Sequence, residues 1–331
     1  MFLQAKRSAT RYYLSPTGSD SNPCTSSQPC LTVLGVKNQV GAGDYSAVEV
    51  CLNAGTYDID GGTTDRAAAS GFMTITPCPG VSKSSVTISA VSNRAPRVTK
   101  TLVKGVLMSG ISNWNAANGT ALWLDDVDID GNCKGSSGCV PVNVNGGNFD
   151  DGVFMTNTLV TDYFEGSPNL KLVRNVTIDN INQDSFKQAR VIIASVSQNI
   201  TNCCSVHPDL YQIESAPLTN LIVYGLTAVT NVDSQGLFTD ANAWMENVAF
   251  VDINIDNTAS GRPAYSLNGG MTTPIGPSDN VFLWNTNFTT TLILERQDPS
   301  PTNFVMIDGA CTGASIGPIA GYTYYNSATC D

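Results

Sequence analysis

Four segments, Arg174-Asn175-Val176-Thr177-Ile178, Thr219-Asn220-Leu221-Ile222-Val223, Glu246-Asn247-Val248-Ala249-Phe250 and Asp279-Asn280-Val281-Phe282-Leu283, repeat one pattern. In each, an Asn is followed by alternating apolar positions and then by a second short apolar stretch. The Asn residues are 45, 27 and 33 positions apart. That spacing reads as two coils of about 22 residues, then one coil with a short loop and one with a longer loop, the mark of a solenoid.

Val176, Ile178 and Ile181, and then Val248, Phe250, Ile253 and Ile255, alternate as strand residues do. No window sustains a period of 3.6, so little helix is expected. An antiparallel sandwich also shows many short strands. Parallel stacking is favoured because successive repeats return in the same phase, Asn over Asn, while 29 Gly with many Asn and Asp supply bends. The expected fold is all-β, a single-stranded parallel β-helix of stacked coils. No Pro-rich or charged linker interrupts it, so one domain over 1–331 is expected, with an N-terminal cap over 1–50, coils over 51–295 and a disulfide-closed C-terminal cap over 296–331.

The opening Tyr12-Tyr13-Leu14-Ser15-Pro16-Thr17-Gly18-Ser19-Asp20, followed by Pro29-Cys30-Leu31-Thr32-Val33, resembles the start of extracellular right-handed parallel β-helix proteins, the pectate-lyase-like polysaccharide lyases among them. The resemblance implies a right-handed coil, an exported protein and a polysaccharide as partner. The paired-Asp and His-Gly motifs of polygalacturonases are absent.

Ten Cys point to an oxidising compartment. Cys24/Cys30, Cys133/Cys139 and Cys311/Cys330 are close enough to staple local loops, and Cys51/Cys78 can close a longer one. The vicinal Cys203-Cys204 either forms a strained ring or pairs elsewhere. Metal ligation is the competing reading, though no CxxC spacing accompanies these residues. Sequons begin at Asn118, Asn175, Asn199 and Asn287, to be glycosylated on a eukaryotic secretory route. Asn175 opens a ladder strand, where an inward side chain excludes a glycan. Met1-Phe2-Leu3-Gln4-Ala5-Lys6-Arg7 lacks the apolar core of a signal peptide, so either a leader has been removed or export takes another route, such as within a virion. No apolar run approaches the ~20 residues of a membrane span.

The formal charge of −11 repels nucleic-acid phosphates over most of the surface. A polyanionic glycan meets the same objection unless bridging calcium or a basic strip offsets it. Lys83, Arg94, Arg97, Lys100 and Lys104 form one such strip, or else a solvated face. Asp126, Asp128 and Asp130 alternate onto one face and suit calcium by oxygen density, without the ligand order of an EF-hand; an exposed acidic face is the alternative. No other cofactor is expected.

The chain's one histidine, His207, lies in His207-Pro208-Asp209-Leu210-Tyr211-Gln212. Imidazole titrates near neutrality and can act as a base without much tuning. Strand alternation would put Asp209 and Tyr211 on its face and Leu210 and Gln212 on the other. Counting back twelve positions from each ladder Asn gathers Lys187, Arg190, His207, Asp209, Asp233, Gln235 and Tyr265 onto one side of adjacent coils. Such a group suits β-elimination of a uronate: Arg190 or Lys187 neutralises the carboxylate, His207 takes the α-proton, and Tyr211 or Tyr265 protonates the leaving oxygen. C5-epimerisation shares the first step. Hydrolysis by an acid pair such as Asp209 and Asp233 fits less well. The non-catalytic alternative is a structural or adhesive β-helix of a cell surface or virion, with an assembly partner.

Overall fold

Inward-turned aliphatic rows organise the chain. The computed structural model describes residues 9–89, 96–109, 121–131, 152–163, 170–182, 184–187, 189–200, 209–213, 218–229, 237–239, 245–256, 265–266, 279–288, 292–293, 302–307 and 310–311. Two compact units are formed, one from Met1–Asn132 with Pro141–Leu159 and the other from Cys133–Val140 with Val160–Asp331.

The first unit contains, in chain order, β1 (Thr10–Leu14), α1 (Val33–Val40), β2 (Val48–Leu52), β3 (Gly55–Tyr57), β4 (Met73–Pro77), β5 (Val86–Ser89), β6 (Lys100–Lys104), β7 (Leu107–Ser109), β8 (Ala121–Asp125), β9 (Asp128–Asp130) and β10 (Gly152–Thr156). Strands β1, β2, β4, β6, β8 and β10 pair in that order, all parallel. A second parallel sheet runs β3, β5, β7, β9. Register stacks Val50, Ile75, Val103, Leu124 and Met155 in one row, each almost wholly buried. Each such side chain contributes roughly 1.5–3 kcal/mol over an exposed one.

The division between the units falls within β11 (Leu159–Thr161). After it come β12 (Leu170–Arg174), β13 (Thr177–Asp179), β14 (Phe186–Lys187), β15 (Val191–Ile193), β16 (Val196–Gln198), β17 (Tyr211–Ile213), β18 (Leu218–Tyr224), β19 (Thr227–Val229) and β20 (Leu237–Thr239). The remainder are β21 (Met245–Val251), β22 (Asn254–Asp256), β23 (Tyr265–Ser266), β24 (Asp279–Trp284), β25 (Asn287–Phe288), β26 (Leu292–Ile293), β27 (Thr302–Ile307) and β28 (Ala310–Cys311). Here a first sheet runs β12, β15, β18, β21, β24, β27, a second β13, β16, β19, β22, β25, β28, and a third β14, β17, β20, β23, β26. These strands pair parallel throughout, so a coil visits three sheets and then returns to the first, one strand along. Crossovers between parallel strands run right-handed. The fold is the expected parallel β-helix. Its first-sheet row is Val173, Ile192, Val223, Phe250 and Leu283, none with measurable exposure.

The ladder differs from its expected phase. Arg174 pairs Ile193, which pairs Tyr224, so Asn175 stands over Ala194 and Gly225, not in line with Asn220. All three have positive φ, as do Asp252 and Asn285 further along the same column. Their backbone N–H groups donate to the next coil: Asn175 to Ile193 O, Ala194 to Tyr224 O, Gly225 to Val251 O and Asp252 to Trp284 O, at 2.8 to 2.9 Å. The first unit uses the same device at Gly105 and Asp126, and Asn157 has the same left-handed φ. A left-handed residue turns the chain from the first sheet to the second within two positions, and Gly, Asn and Asp adopt that conformation at least cost. Asn220, Asn247 and Asn280 form a separate left-handed ladder, Asn247 Nδ2 donating to Asn220 Oδ1 at 3.5 Å and Asn280 Nδ2 to Asn247 Oδ1 at 2.9 Å. Asn175 is therefore exposed in a bend, where an inward side chain was expected.

Strand β1 pairs with β2, and β27 with β24. Disulfides Cys24–Cys30 and Cys51–Cys78 form as expected. They place folding in an oxidising compartment. Cys133, Cys139, Cys203, Cys204 and Cys330 lie outside the described residues, as does the Cys311 side chain. Among the sequons, Asn287 is exposed, Asn199 donates from Nδ2 to Asp179 Oδ1 at 2.7 Å, and Asn118 lies outside the described residues. Among the described residues no helix is long and apolar enough to cross a membrane.

Helix α1 is capped by the Thr32 hydroxyl and carries a buried amine: Lys37 Nζ donates to the carbonyls of Gly61 and Thr64. Burial, helped by the neighbouring Arg66 charge, pulls the Lys37 pKa down to about 8. Unfolded Lys37 therefore holds its proton at pH values where folded Lys37 has released it, and stability should rise between pH 8 and about 10. Denaturant midpoints across that range are expected to climb in the wild type and to stay flatter in Lys37→Met. At the bend column, Ala194 is the residue with most to gain from a change, and Ala194→Gly should raise stability by about 1 kcal/mol, read as a higher thermal midpoint.

Candidate functional site

The third sheet carries the residues singled out for chemistry. Phe186 pairs Tyr211, and Lys187 pairs Gln212. Phe186 and Tyr211 turn into the core, where the Tyr211 ring meets Phe250 edge-on at a centroid distance of 6.3 Å. The Tyr211 hydroxyl donates to Ala189 O at 2.7 Å. Burial lifts its pKa well above the ordinary value, against a smaller opposing effect of Arg190. Tyr211 therefore does not face a substrate, contrary to its assignment as a proton donor. The reason is the corner before β17: Asp209 and Leu210 lie in the bend, so strand alternation begins only at Tyr211 and the whole run from Asp209 to Ile213 is buried. Tyr265, in β23, occupies the register column of Tyr211 through Leu237.

Two carboxylates sit one above the other in that corner. Asp184 and Asp209 both show 0% exposure, and the backbone N–H of Asp209 donates to Asp184 Oδ1 at 2.9 Å. In return Ser185 N–H donates to Asp209 O at 2.9 Å, and Phe186 N–H to Leu210 O at 3.1 Å. Lys187, itself 6% exposed, brings Nζ to 3.7 Å from Asp184 Oδ2. Beside it Gln212 Oε1 is buried with no hydrogen-bond partner among the described residues. Ser185 and Ser197 close the floor with a hydroxyl contact of 2.6 Å.

The structure thus brings Lys187 and Asp209 together and adds Asp184 and Gln212, which the sequence reading missed. A signal was present: Asp184-Ser185-Phe186-Lys187 recurs as Asp209-Leu210-Tyr211-Gln212, acid, spacer, aromatic, polar. Arg190 is exposed in the following bend, its backbone tied to Leu170 and Ile222. His207, Asp233 and Gln235 lie outside the described residues. Buried charge is costly unless paired, and clusters of it gather at functional sites.

In the acidic string two of the carboxylates pair with a lysine. Lys83 Nζ bridges Asp126 Oδ1 at 3.0 Å and Asp128 Oδ1 at 2.8 Å. Asp126 is the left-handed bend residue, so the three acids do not alternate along one strand; only Asp128 and Asp130 share the outer face of β9. Among the described residues no group of three or more His, Cys, Asp or Glu is arranged to hold a metal. The basic strip is paired in the same manner, Arg97 with Asp65 at 2.8 Å and Lys104 with Asp125 at 3.0 Å. Arg94 lies outside the described residues.

No family model matches this chain. No curated protein matches either. Among solved structures, an endo-xylogalacturonan hydrolase from Aspergillus tubingensis is similar over 96% of this chain and 100% of its own, at 12% identity and a TM-score of 0.48. XylC in complex with xylose is similar over 95% and 86%, at 10% identity and a TM-score of 0.46. A rhamnogalacturonan lyase is similar over 92% and 74%, at 14% identity and a TM-score of 0.31.

Removing one member of the buried charge group should cost more than removing two. Lys187→Met is expected to lower unfolding free energy by about 3 kcal/mol, while Lys187→Met with Asp184→Asn recovers much of it. Chemical denaturation of the single and double variants measures the coupling.

Proposed function

We propose that the protein is an exported β-helix that binds an extended acidic polysaccharide over the third sheet and breaks or inverts it at a uronate residue. The observation that carries this reading is the buried Lys187, Asp184 and Asp209 group on the run that leads out of His207. Charges held at that cost serve a reactive neighbour better than they serve stability. Equal offsets add support: four positions before β14, β17 and β20 stand Asn182, His207 and Asp233, and two positions before them stand Asp184, Asp209 and Gln235.

In this reading His207 removes the proton α to the uronate carboxylate, and Lys187 or Arg190 neutralises the charge that develops on it. The electron pair left on carbon forms a C=C bond as the β C–O bond breaks, and the leaving oxygen takes up a proton. In epimerisation the proton returns from the opposite face and no bond to oxygen breaks. Asp209 is wholly buried and acts on orientation. An acid-pair hydrolysis through Asp209 would need that carboxylate at the surface. The disulfides and the exposed sequon at Asn287 fit an extracellular glycoprotein.

A second reading, a structural or adhesive β-helix, is favoured by one observation. Ile222, Tyr224 and Trp284 are 51%, 46% and 48% exposed on the outer face of the second unit's first sheet. A face of that kind suits contact with another surface.

With oligogalacturonate as probe, the wild type is expected to release unsaturated uronate, followed by its ultraviolet absorbance, and His207→Ala to lose at least about a hundredfold of that rate. Equal rates, or no product and no exchange of the α-proton with solvent, would remove the catalytic assignment. A stable assembly in native material that is indifferent to His207→Ala would then support the structural reading.

A further inference from the structure

The outer face of the first unit's first sheet carries an aromatic row unrelated to the third-sheet site. Register aligns Leu102, Trp123 and Phe154 on β6, β8 and β10, each part-exposed. Phe72, just before β4, leans over the same face with its ring centroid 5.9 Å from that of Trp123, edge to face. Phe154 lies 6.4 Å away on the other side, tilted by 46°. From β4 to β10 the row crosses three strand spacings, about 14 Å.

The Trp123 ring is held in place. Its Nε1–H donates to Thr156 Oγ1 at 2.9 Å, and the Thr156 hydroxyl donates to Asp125 Oδ1 at 2.7 Å. Asn157 Nδ2 donates to the same oxygen at 2.8 Å, and Lys104 pairs with Asp125 Oδ2 at 3.0 Å. Burial pushes the Asp125 carboxyl up, but Thr156, Asn157 and Lys104 outweigh it and keep it below the usual carboxylate value, so the chain of hydrogen bonds persists at neutral pH. Small residues, Ala121 and Gly152, lie beside the row on β8 and β10.

Charge in the first unit is distributed unevenly. Lys83, Arg97 and Lys104 are each matched by a carboxylate. Lys100, on the outer side of β6 next to Ala121 in register, has no ion pair among the described residues. In a chain of formal charge −11, a cation with no ion pair among the described residues beside a fixed aromatic row is a site for an anion with an apolar face. A uronic acid has both: axial C–H groups that stack on an aromatic ring, and a carboxylate.

We propose that Trp123, with Phe72 and Phe154, forms a stacking surface for the pyranose rings of an acidic polysaccharide, with Lys100 pairing to a uronate carboxylate. The surface is a second, non-catalytic binding site in the first unit. It shares only its ligand class with the reading of the third sheet and rests on that reading for nothing else.

The test titrates oligogalacturonate, and a neutral xylo-oligosaccharide as control, into the full chain carrying His207→Ala, so that turnover does not intervene. Trp123→Ala should weaken oligogalacturonate binding about tenfold, Trp123→Phe should restore most of it, and Lys100→Gln should weaken the acidic probe about fivefold and leave the neutral one unchanged. An affinity unmoved by both Trp123→Ala and Lys100→Gln, or no binding before they are made, overturns the stacking surface. Loss of affinity in Trp123→Phe equal to that in Trp123→Ala also overturns it, because a bare change in fold would then explain both. If the Trp123 and Lys100 effects hold while the wild type yields no unsaturated product and no α-proton exchange, the third-sheet reading falls and this one stands.

Discussion

The left-handed turn from the first sheet to the second governs the arrangement of everything else. At Asn175, Ala194, Gly225, Asp252 and Asn285 the chain reverses its φ, leaves the first sheet and enters the second, and at the first four the backbone N–H reaches the next coil. Without that turn the inward rows would slip by a residue, and a slip of one moves every side chain to the opposite face. The aliphatic rows supply the driving force, but they are tolerant of identity, as Val, Ile, Leu, Met and Phe all serve. The turn is less tolerant, since only Gly, Asn and Asp hold it at little cost and Ala194 is the exception.

Regular stacking has an electrostatic consequence. Residues at equal offsets in successive coils stand about 4.8 Å apart, so a repeated acid meets its own copy. Asp184 and Asp209 are such a pair, joined by a backbone N–H of one to the carboxylate of the other and accompanied by Lys187. On the outer faces the same spacing lets Lys83 span Asp126 and Asp128. That ion pair links coils through the carboxylates in which oxygen density alone suggested a calcium site. Among the described residues charge is therefore more locally balanced than the total implies, and Lys100, without an ion pair there, stands out.

Much of the fold was legible in the repeated segments. Alternation at Val176 and Ile178, and at Val248 and Phe250, correctly marks inward positions, and the return of Asn220, Asn247 and Asn280 marks single coils. The error was to place Asn175 in the same ladder. Asn serves two different left-handed positions per coil, and residue type does not distinguish them, whereas pairing of Arg174 with Ile193 does. At the site, counting pointed to Lys187 and strand alternation from His207 to Asp209, while Tyr211 was assigned outward because that alternation was extended through a corner.

Composition and pattern alone determined the all-β parallel coil, the oxidising compartment and two of the disulfides, because these depend on periods and short separations along the chain. Tertiary structure decided the burial of Tyr211, the company of Asp184 and Gln212, the claim of Lys83 on the acidic string and the meeting of Phe72 with Trp123. Each of these depends on which residue of one coil lies over which residue of the next. Loop lengths vary between coils, so that register is set only when hydrogen bonds between strands close it.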